Sequence, residues 1–273
     1  MEIKSVLKEN NFRFSKAYGQ NFLTDTDLLA QIAEDGGVDS DSEVLEIGPG
    51  AGTLTEQLCL RAKKVLAYEI DKSLEPVLKK NLPYRNAEII FKDVMKTDLN
   101  EIEGKLSGGY KVVANIPYYI TTPIIIKFLT SNASSVTVTV QKEVAERLCA
   151  SKGTSSYGAV SVAVSLYGNA RITRIIPAEK FYPVPKVDSA VVRIDLVKNK
   201  YSCDYENVRK TVKAAFAMRR KTLVNNITAA FGFNREKAEK ILADCGFNLK
   251  IRGEELSVEE FIKLSERLFQ QGN

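Results

Sequence analysis

Asn115-Ile116-Pro117-Tyr118 stands at the end of the apolar run Val112-Val113-Ala114. An Asn side-chain carbonyl and a neighbouring backbone carbonyl can both accept hydrogen bonds from one exocyclic NH2. The Tyr118 ring offers a face on which a planar group stacks. Two acceptors on one amine aim its lone pair outward. They also support the positive charge that develops as the nitrogen becomes tetrahedral. The chemistry is group transfer to the amine of a planar substrate; the bland alternative is a proline turn carrying a surface tyrosine.

Such a transfer needs a donor. The upstream run "LEIGPGAGTLT" places Gly48, Gly50 and Gly52 after an apolar strand and before a helix. Glycines there let the backbone turn tightly and approach a ligand. Glu69 ends the next strand, 19 residues after Gly50, where a carboxylate can accept from both hydroxyls of a ribose. The spacing is G-x-G-x-G with an acid on the strand, Glu46, rather than the G-x-G-x-x-G of dinucleotide sites. It resembles the first motif of S-adenosylmethionine-dependent methyltransferases. "FKDVMKTDL" adds Asp93 as acceptor for an adenine amine and the Val94 N–H for a ring nitrogen, although an acid there also reads as a turn cap. The Asn-x-Pro-Tyr pattern behind these motifs resembles methyltransferases that act on adenine N6 or on glutamine amides. A neutral amine and an activated sulfonium donor need mainly positioning and electrostatics. That suits a chain with no histidine, in which Ser-His-Asp and Cys-His systems are excluded.

The elements that position these residues alternate. Glu43–Gly48, "KVLAYEID", "EIIFKD", "KVVAN" and Ser135–Gln141 read as strands separated by helical spacing, which implies parallel pairing with helical crossovers. "VSVAVSLYG" and "SAVVRIDLV" read as two further strands, forming an antiparallel hairpin at one end of the sheet. From Tyr201 onward the pattern is helical, and Ser257 with Glu260 forms a capping box before an apolar stripe. The predicted division is 1–198, an α/β Rossmann-like domain with a mostly parallel seven-stranded sheet, and 199–273, a small all-helical domain. Four dispersed cysteines without a C-x-x-C pair, and no histidine, give no basis for a structural metal and fit a reducing compartment. "MEIKSVLKENNFRF" lacks the apolar core of a signal peptide, and no apolar run reaches membrane-spanning length. The expectation is a cytoplasmic monomer without membrane partners.

Net charge is +5, which permits a polyanionic partner without requiring one. Its distribution says more. Between Asn207 and Arg235 there are seven Lys or Arg and no acid: Arg209, Lys210, Lys213, Arg219, Arg220, Lys221 and Arg235. On a continuous helix, Arg209, Lys213 and Arg220 share one face, which suits phosphate contact. A solvated helix face is the alternative, and Arg219 is also a candidate anchor at a domain interface.

Three further stretches, "KAYGQNFLTD" (16–25), "FYPVPKVDSAVV" (181–192) and "AFAMRRKTLVNN" (215–226), join these motifs in order. Together they closely resemble the small-subunit ribosomal RNA adenine N6,N6-dimethyltransferases of the KsgA (RsmA) type, over nearly the whole chain. The resemblance implies a class I methyltransferase fold and S-adenosylmethionine as donor. It implies 16S ribosomal RNA as partner, with two adjacent adenosines dimethylated during 30S subunit biogenesis. Cofactor contacts carry over to Asn21, Leu23, Gly48, Gly50, Glu69, Ile70, Asp93, Val94 and Asn115. Asn115 with the Pro117 carbonyl would hold the target amine, Tyr118 would stack on the adenine, and Phe181 would close the other face of the flipped base. Gln20 belongs to the same loop as Asn21. Lys186, Arg209, Lys213, Arg219, Arg220 and Lys221 are the candidate RNA contacts, and the helical domain the candidate RNA-binding domain. Ile116 departs mildly from the commoner Leu. Two alternatives share these features: a resistance methyltransferase acting on large-subunit RNA, and a non-catalytic RNA-binding assembly or transcription factor.

Overall fold

The computed structural model describes residues 21–23 and 25–270, which form two compact units. The first runs to Ala145 and resumes over Asn169–Leu196; the second comprises Glu146–Gly168 and Val197 to the C-terminus. The second unit therefore also takes in 146–168, upstream of the single cut after residue 198 that the sequence suggests.

The first unit is built on seven strands: β1 Glu43–Ile47, β2 Lys64–Glu69, β3 Ala87–Phe91, β4 Lys111–Asn115, β5 Ser135–Gln141, β6 Gly168–Ile176 and β7 Ser189–Leu196, in the order β3-β2-β1-β4-β5-β7-β6. β1 pairs in parallel with β2 and β4, β2 with β3, and β4 with β5, whereas β5 and β7 run antiparallel. Strands covered on both faces read as near-continuous apolar runs. Val44, Leu45, Val65, Leu66, Val112 and Val113 are all fully buried. The crossovers are α1 Thr26–Asp35, α2 Thr53–Cys59, α3 Glu75–Asn81, α4 Leu99–Glu103 and α5 Tyr118–Phe128, followed by α6 Lys142–Leu148. The α1 N-terminus is set by Asp25, whose carboxylate accepts from the Leu28 N–H, satisfying one donor that the helix leaves open. α1 and α2 pack Leu29, Ile32, Leu54 and Leu58 against Val44, Val65 and Val113. Strand order reverses between β1 and β4, and in open α/β sheets ligands lie beyond the strand ends at that reversal.

"VSVAVSLYG" is not a strand. It forms helix α7, Ala159–Tyr167. Its alternating β-branched residues mimic a strand, but an apolar run between glycines cannot be assigned by periodicity alone. The helix wins because Val162 and Leu166, one turn apart, both enter the core of the second unit. Its start is fixed by Ser161, whose hydroxyl accepts from the Gly158 N–H and donates to the Arg147 carbonyl. The edge strand is instead β6, "GNARITRII", whose mixed polarity concealed it.

The rest of the second unit comprises α8 Tyr205–Ala215, α9 Leu223–Phe231, α10 Arg235–Asp244 and α11 Val258–Phe269. They enclose Val208, Val212, Leu223, Ile227, Ile241, Phe261 and Leu264. Phe261 is fully buried, and its ring centroid lies 5.9 Å from that of Phe216; truncating a side chain so placed costs about 3–5 kcal/mol. The Ser257–Glu260 capping box is present with both of its hydrogen bonds, 3.3 and 2.7 Å. No helix among the described residues is long and apolar enough to cross a membrane.

Candidate active site

At the carboxyl ends of β1, β2, β3 and β4 the first unit opens a cavity of about 380 Å³. Asn21, Leu23, Gly48, Gly50, Glu69, Ile70, Asp93, Val94, Asn115 and Pro117 all line it. Every expected cofactor-binding residue thus meets the others in one place, although they come from five separate segments. Gln20 lies outside the described residues.

The turn from β1 into α2 is possible because Gly48, Gly50 and Gly52 adopt positive φ, 68°, 60° and 86°, a conformation that costs other L-residues about 1–2 kcal/mol. At Gly50 there is also no room: a Cβ would stand 2.8 Å from the Phe22 ring. The bare backbone leaves the Gly50 N–H directed at Glu69, whose Oε2 accepts it at 3.0 Å. The other carboxylate oxygen accepts from the Asp71 N–H at 2.9 Å. Glu69 is 4% exposed, and burial raises its pKa against the pull of these two N–H groups. A carboxylate has about four acceptor sites, so Glu69 is oriented by the backbone and keeps capacity for a ligand's hydroxyls. Beneath it on β1, Glu46 is 1% exposed and one of its oxygens lacks a partner. Burial, with the nearby negative charge of Glu69 adding to it, pushes its pKa up to about 8.

Beyond β3, Asp93 accepts the Met95 N–H on Oδ1 at 2.9 Å, and its carbonyl accepts from the Thr97 hydroxyl at 2.9 Å. The turn-cap reading of Asp93 and the ligand reading are therefore compatible. Oδ1 fixes the turn, while Oδ2 lies 3.9 Å from the Lys96 ammonium and keeps acceptor capacity. Glycines that clear space, a carboxylate for a diol and an acid beside a backbone N–H form a donor set that fits an adenosine-bearing group.

β4 delivers Asn115, Ile116 and Pro117 to the same cavity. The Pro117 carbonyl, expected to be free, accepts from the Ile120 N–H at 3.2 Å and the Thr121 hydroxyl at 3.3 Å. Pro117 is the N-cap of α5, and a cap residue's carbonyl serves the first helical turn. Two donors of α5 thus already occupy this carbonyl. Tyr118 is half-buried, with its hydroxyl 2.7 Å from the Ser189 hydroxyl; burial raises its pKa and that hydrogen bond opposes the rise. This bond ties "NIPY" to the "PKVDS" stretch. Tyr118 does not line the cavity, whereas Tyr119, 62% exposed, does. Phe181 is also absent from the lining. It is 2% exposed, packed with Leu23, Ile176 and Val191, and its strand Phe181–Tyr182 pairs antiparallel with Phe22–Leu23. Sequence reasoning missed Phe22, Met95, Tyr119 and Ile120 as lining residues. Phe22, Met95 and Tyr119 directly neighbour predicted residues and Ile120 lies one further on, and that proximity was the available signal.

In the second unit, the basic stretch is not one continuous helix. α8 ends at Ala215, and Arg219, Arg220 and Lys221 lie in the turn before α9. Asn226, 1% exposed, donates its amide to the Ala215 carbonyl at 2.7 Å and the Met218 carbonyl at 3.3 Å. A buried side chain thus takes the place of the helical bond that the Ala215 carbonyl gives up, and joins the Lys221 N–H on the Met218 carbonyl. Arg209 and Lys210 flank Glu206 at 3.5 and 3.9 Å. Arg219 donates to the Ser155 carbonyl at 2.9 Å and lies 3.7 Å from Glu254, within its own unit. Lys213, Arg220 and Lys221 are exposed, as is Lys186 in the first unit.

Comparison with known proteins identifies the family. The family described as "Ribosomal RNA adenine dimethylase" matches residues 11–270. The chain belongs to that family. It is an rRNA adenine dimethyltransferase by membership, with the Rossmann-like methyltransferase fold. Among curated relatives, "Ribosomal RNA small subunit methyltransferase A" of Clostridioides difficile is 43% identical, covering 96% of this chain and 93% of the relative. The protein of the same name from Bacillus licheniformis is 44% identical over 97% and 94%. Among solved structures, a dimethyladenosine transferase from Plasmodium falciparum matches with a TM-score of 0.79 at 26% identity, covering 92% of this chain and 98% of that one. The 23S rRNA methyltransferase ErmE matches with a TM-score of 0.67 at 27% identity, over 90% and 99%.

Proposed function

We propose that this protein transfers methyl groups from S-adenosylmethionine to N6 of two adjacent adenosines in the 3′-terminal hairpin of 16S ribosomal RNA. The product is N6,N6-dimethyladenosine, formed in the cytoplasm during 30S subunit biogenesis by a monomeric enzyme. The observation that carries this reading is the single cavity in which the glycine turn, Glu69, Asp93 and Asn115 converge. The relatives named as small-subunit methyltransferases support the choice of RNA.

S-adenosylmethionine, when bound, supplies a methyl group on an activated sulfonium. The chain's own residues bind and orient. Asn21, Leu23 and the Gly48–Gly50 turn form one wall of the donor site, and Glu69 with Ile70 beside it holds the ribose. Asp93 and the Val94 N–H hold the adenine. The target base has to leave its stack to reach the site. Asn115 then accepts from its amine. With the Pro117 carbonyl engaged in α5, the second acceptor is the Ile116 carbonyl, one residue closer to Asn115. Tyr118, held by Ser189, stacks on the base, and a shift of the Phe181 ring from its packed position closes the other face. These contacts fix the amine lone pair in line with the methyl, which is where most of the rate comes from in a reaction that needs no strong base. Lys186, Arg209, Lys213, Arg219, Arg220 and Lys221 contact phosphates.

The test supplies labelled S-adenosylmethionine and undermethylated small ribosomal subunits, then maps the label. Dimethylated adjacent adenosines near the 3′ end are expected. Because the fold is also shared with ErmE, large-subunit RNA is offered in parallel. Label confined to it would establish the second reading, and label on neither RNA would favour a non-catalytic RNA-binding role.

A further inference from the structure

Lys127 lies in the last turn of α5, the helix that begins at Tyr118. Its ammonium reaches across to the loop after β3 and donates to the Val94 carbonyl at 2.8 Å, the Thr97 carbonyl at 2.5 Å and, more weakly, the Met95 carbonyl at 3.4 Å. An ammonium has three donors, and all three are directed at one five-residue loop. That loop is the segment that presents Asp93, Val94 and Met95 to the cavity. Among the described residues its other hydrogen bonds are short-range: the Asp93 carboxylate on the Met95 N–H, the Asp93 carbonyl accepting from the Lys96 N–H and the Thr97 hydroxyl, and the Val94 carbonyl accepting from the Thr97 N–H. Turns closed by local bonds alone open easily. A charged donor on three carbonyls, anchored in a helix packed on the sheet, is the long-range restraint. Partial burial lowers the Lys127 pKa, the mark of an ammonium drawn out of water toward these carbonyls.

We propose that Lys127 is a positioning residue for donor selectivity, holding the Asp93–Thr97 loop so that Asp93 and the Val94 N–H read the adenine edge. It deepens the reading of the cavity as the donor site and rests on it. Lys127 joins the helix that follows Asn-Ile-Pro-Tyr to the loop that recognises the adenine, so the same element carries both ends of the transfer. It touches neither donor nor target and acts only through the loop.

Binding is measured by calorimetry on the full chain, without RNA, using S-adenosylhomocysteine and its hypoxanthine counterpart, S-inosylhomocysteine. The wild type is expected to prefer the adenine form. Lys127→Met should bind S-adenosylhomocysteine roughly tenfold more weakly, the scale of losing about one net charge-assisted hydrogen bond. It should bind the hypoxanthine form with little change, so the preference collapses. Lys127→Arg should restore it. Lys127→Gln, which keeps two N–H donors, serves if the methionine variant does not fold, and should give an intermediate preference. Wild-type affinity and preference in Lys127→Met or Lys127→Gln would overturn the proposal. So would equal weakening of both ligands together with a lowered melting temperature, which would mark a purely structural lysine. Failure of the wild type to bind either ligand would overturn the donor-site reading itself, and this proposal with it.

Discussion

The two units of this protein handle polar chemistry in opposite ways. In the first, the polar groups that matter are buried or half-buried and aimed by hydrogen bonds: Glu69 by two N–H groups, Asp93 by its own turn, and Tyr118 by Ser189. In the second, the charges that matter stand in solvent around an apolar helical core, and a buried polar residue, Asn226, shapes the turn beneath them. Preorganised groups in a water-poor site are strong and specific. Exposed cations are weak singly, tolerant of position, and additive on a polyanion. On the proposed function, the first arrangement selects atoms and the second a phosphate backbone.

The contrast can be broken by substitution, beginning with the largest effect. Asn115→Ala should lower the methyl-transfer rate about 10²–10³-fold, as removing one preorganised transition-state hydrogen bond does, and leave RNA affinity unchanged. Equal reduction of both would erase the distinction between the units. Gly50→Ala drives a Cβ to 2.8 Å from Phe22 at φ 60°. The strain should weaken S-adenosylhomocysteine binding about 5–30-fold, read by calorimetry; normal binding would mean the turn is not the donor's cradle. Arg220→Glu combined with Lys221→Glu should weaken RNA binding most at low salt. The slope of log affinity against log salt should become shallower by about one for each phosphate no longer neutralised. Donor binding should not move, and an unchanged salt slope would remove this turn from the RNA-binding surface.

The last effect is on stability rather than on activity or binding. Glu46 has its pKa raised to about 8 by burial, against about 4.3 in an unfolded chain. The folded state therefore holds its proton more tightly. The associated stability is fully present below the unfolded pKa and is lost as pH rises toward 8. Glu46→Gln, always neutral, should melt close to the wild type at pH 5 and, since each pKa unit is worth about 1.4 kcal/mol, about ten degrees above it at alkaline pH. Parallel melting curves across that range would show that Glu46 is charged in the folded protein.

Much of the first unit was legible in sequence because its chemistry is local. Gly48, Gly50 and Gly52 are required by backbone conformation, Glu69 follows at the end of the next strand, and Asn115 ends a later one; each announces itself within a few residues. The misreadings share one cause. "VSVAVSLYG" has a strand's alternation, and only the packing of Val162 and Leu166 into a helical core makes it α7. The expected single basic face failed because a continuous helix was assumed where Asn226 supports a turn. That α5 begins on the Pro117 carbonyl, an acceptor expected from the family resemblance, is likewise not visible in its sequence position.

Sequence alone determined the alternating strand–helix plan and pointed to the proposed reacting groups and the kind of donor, since these depend on residue type and on spacing within one element. Tertiary structure decided what depends on residues far apart in the chain. It put Asn21, Gly50, Glu69, Asp93 and Asn115 on one cavity by reversing strand order between β1 and β4. It hung Tyr118 on Ser189, 71 residues away, and set Lys127 on the loop that ends at Thr97, 30 residues before it. Spacing along a chain encodes turns and helix faces, whereas contacts of this range exist only once the sheet has closed over its core.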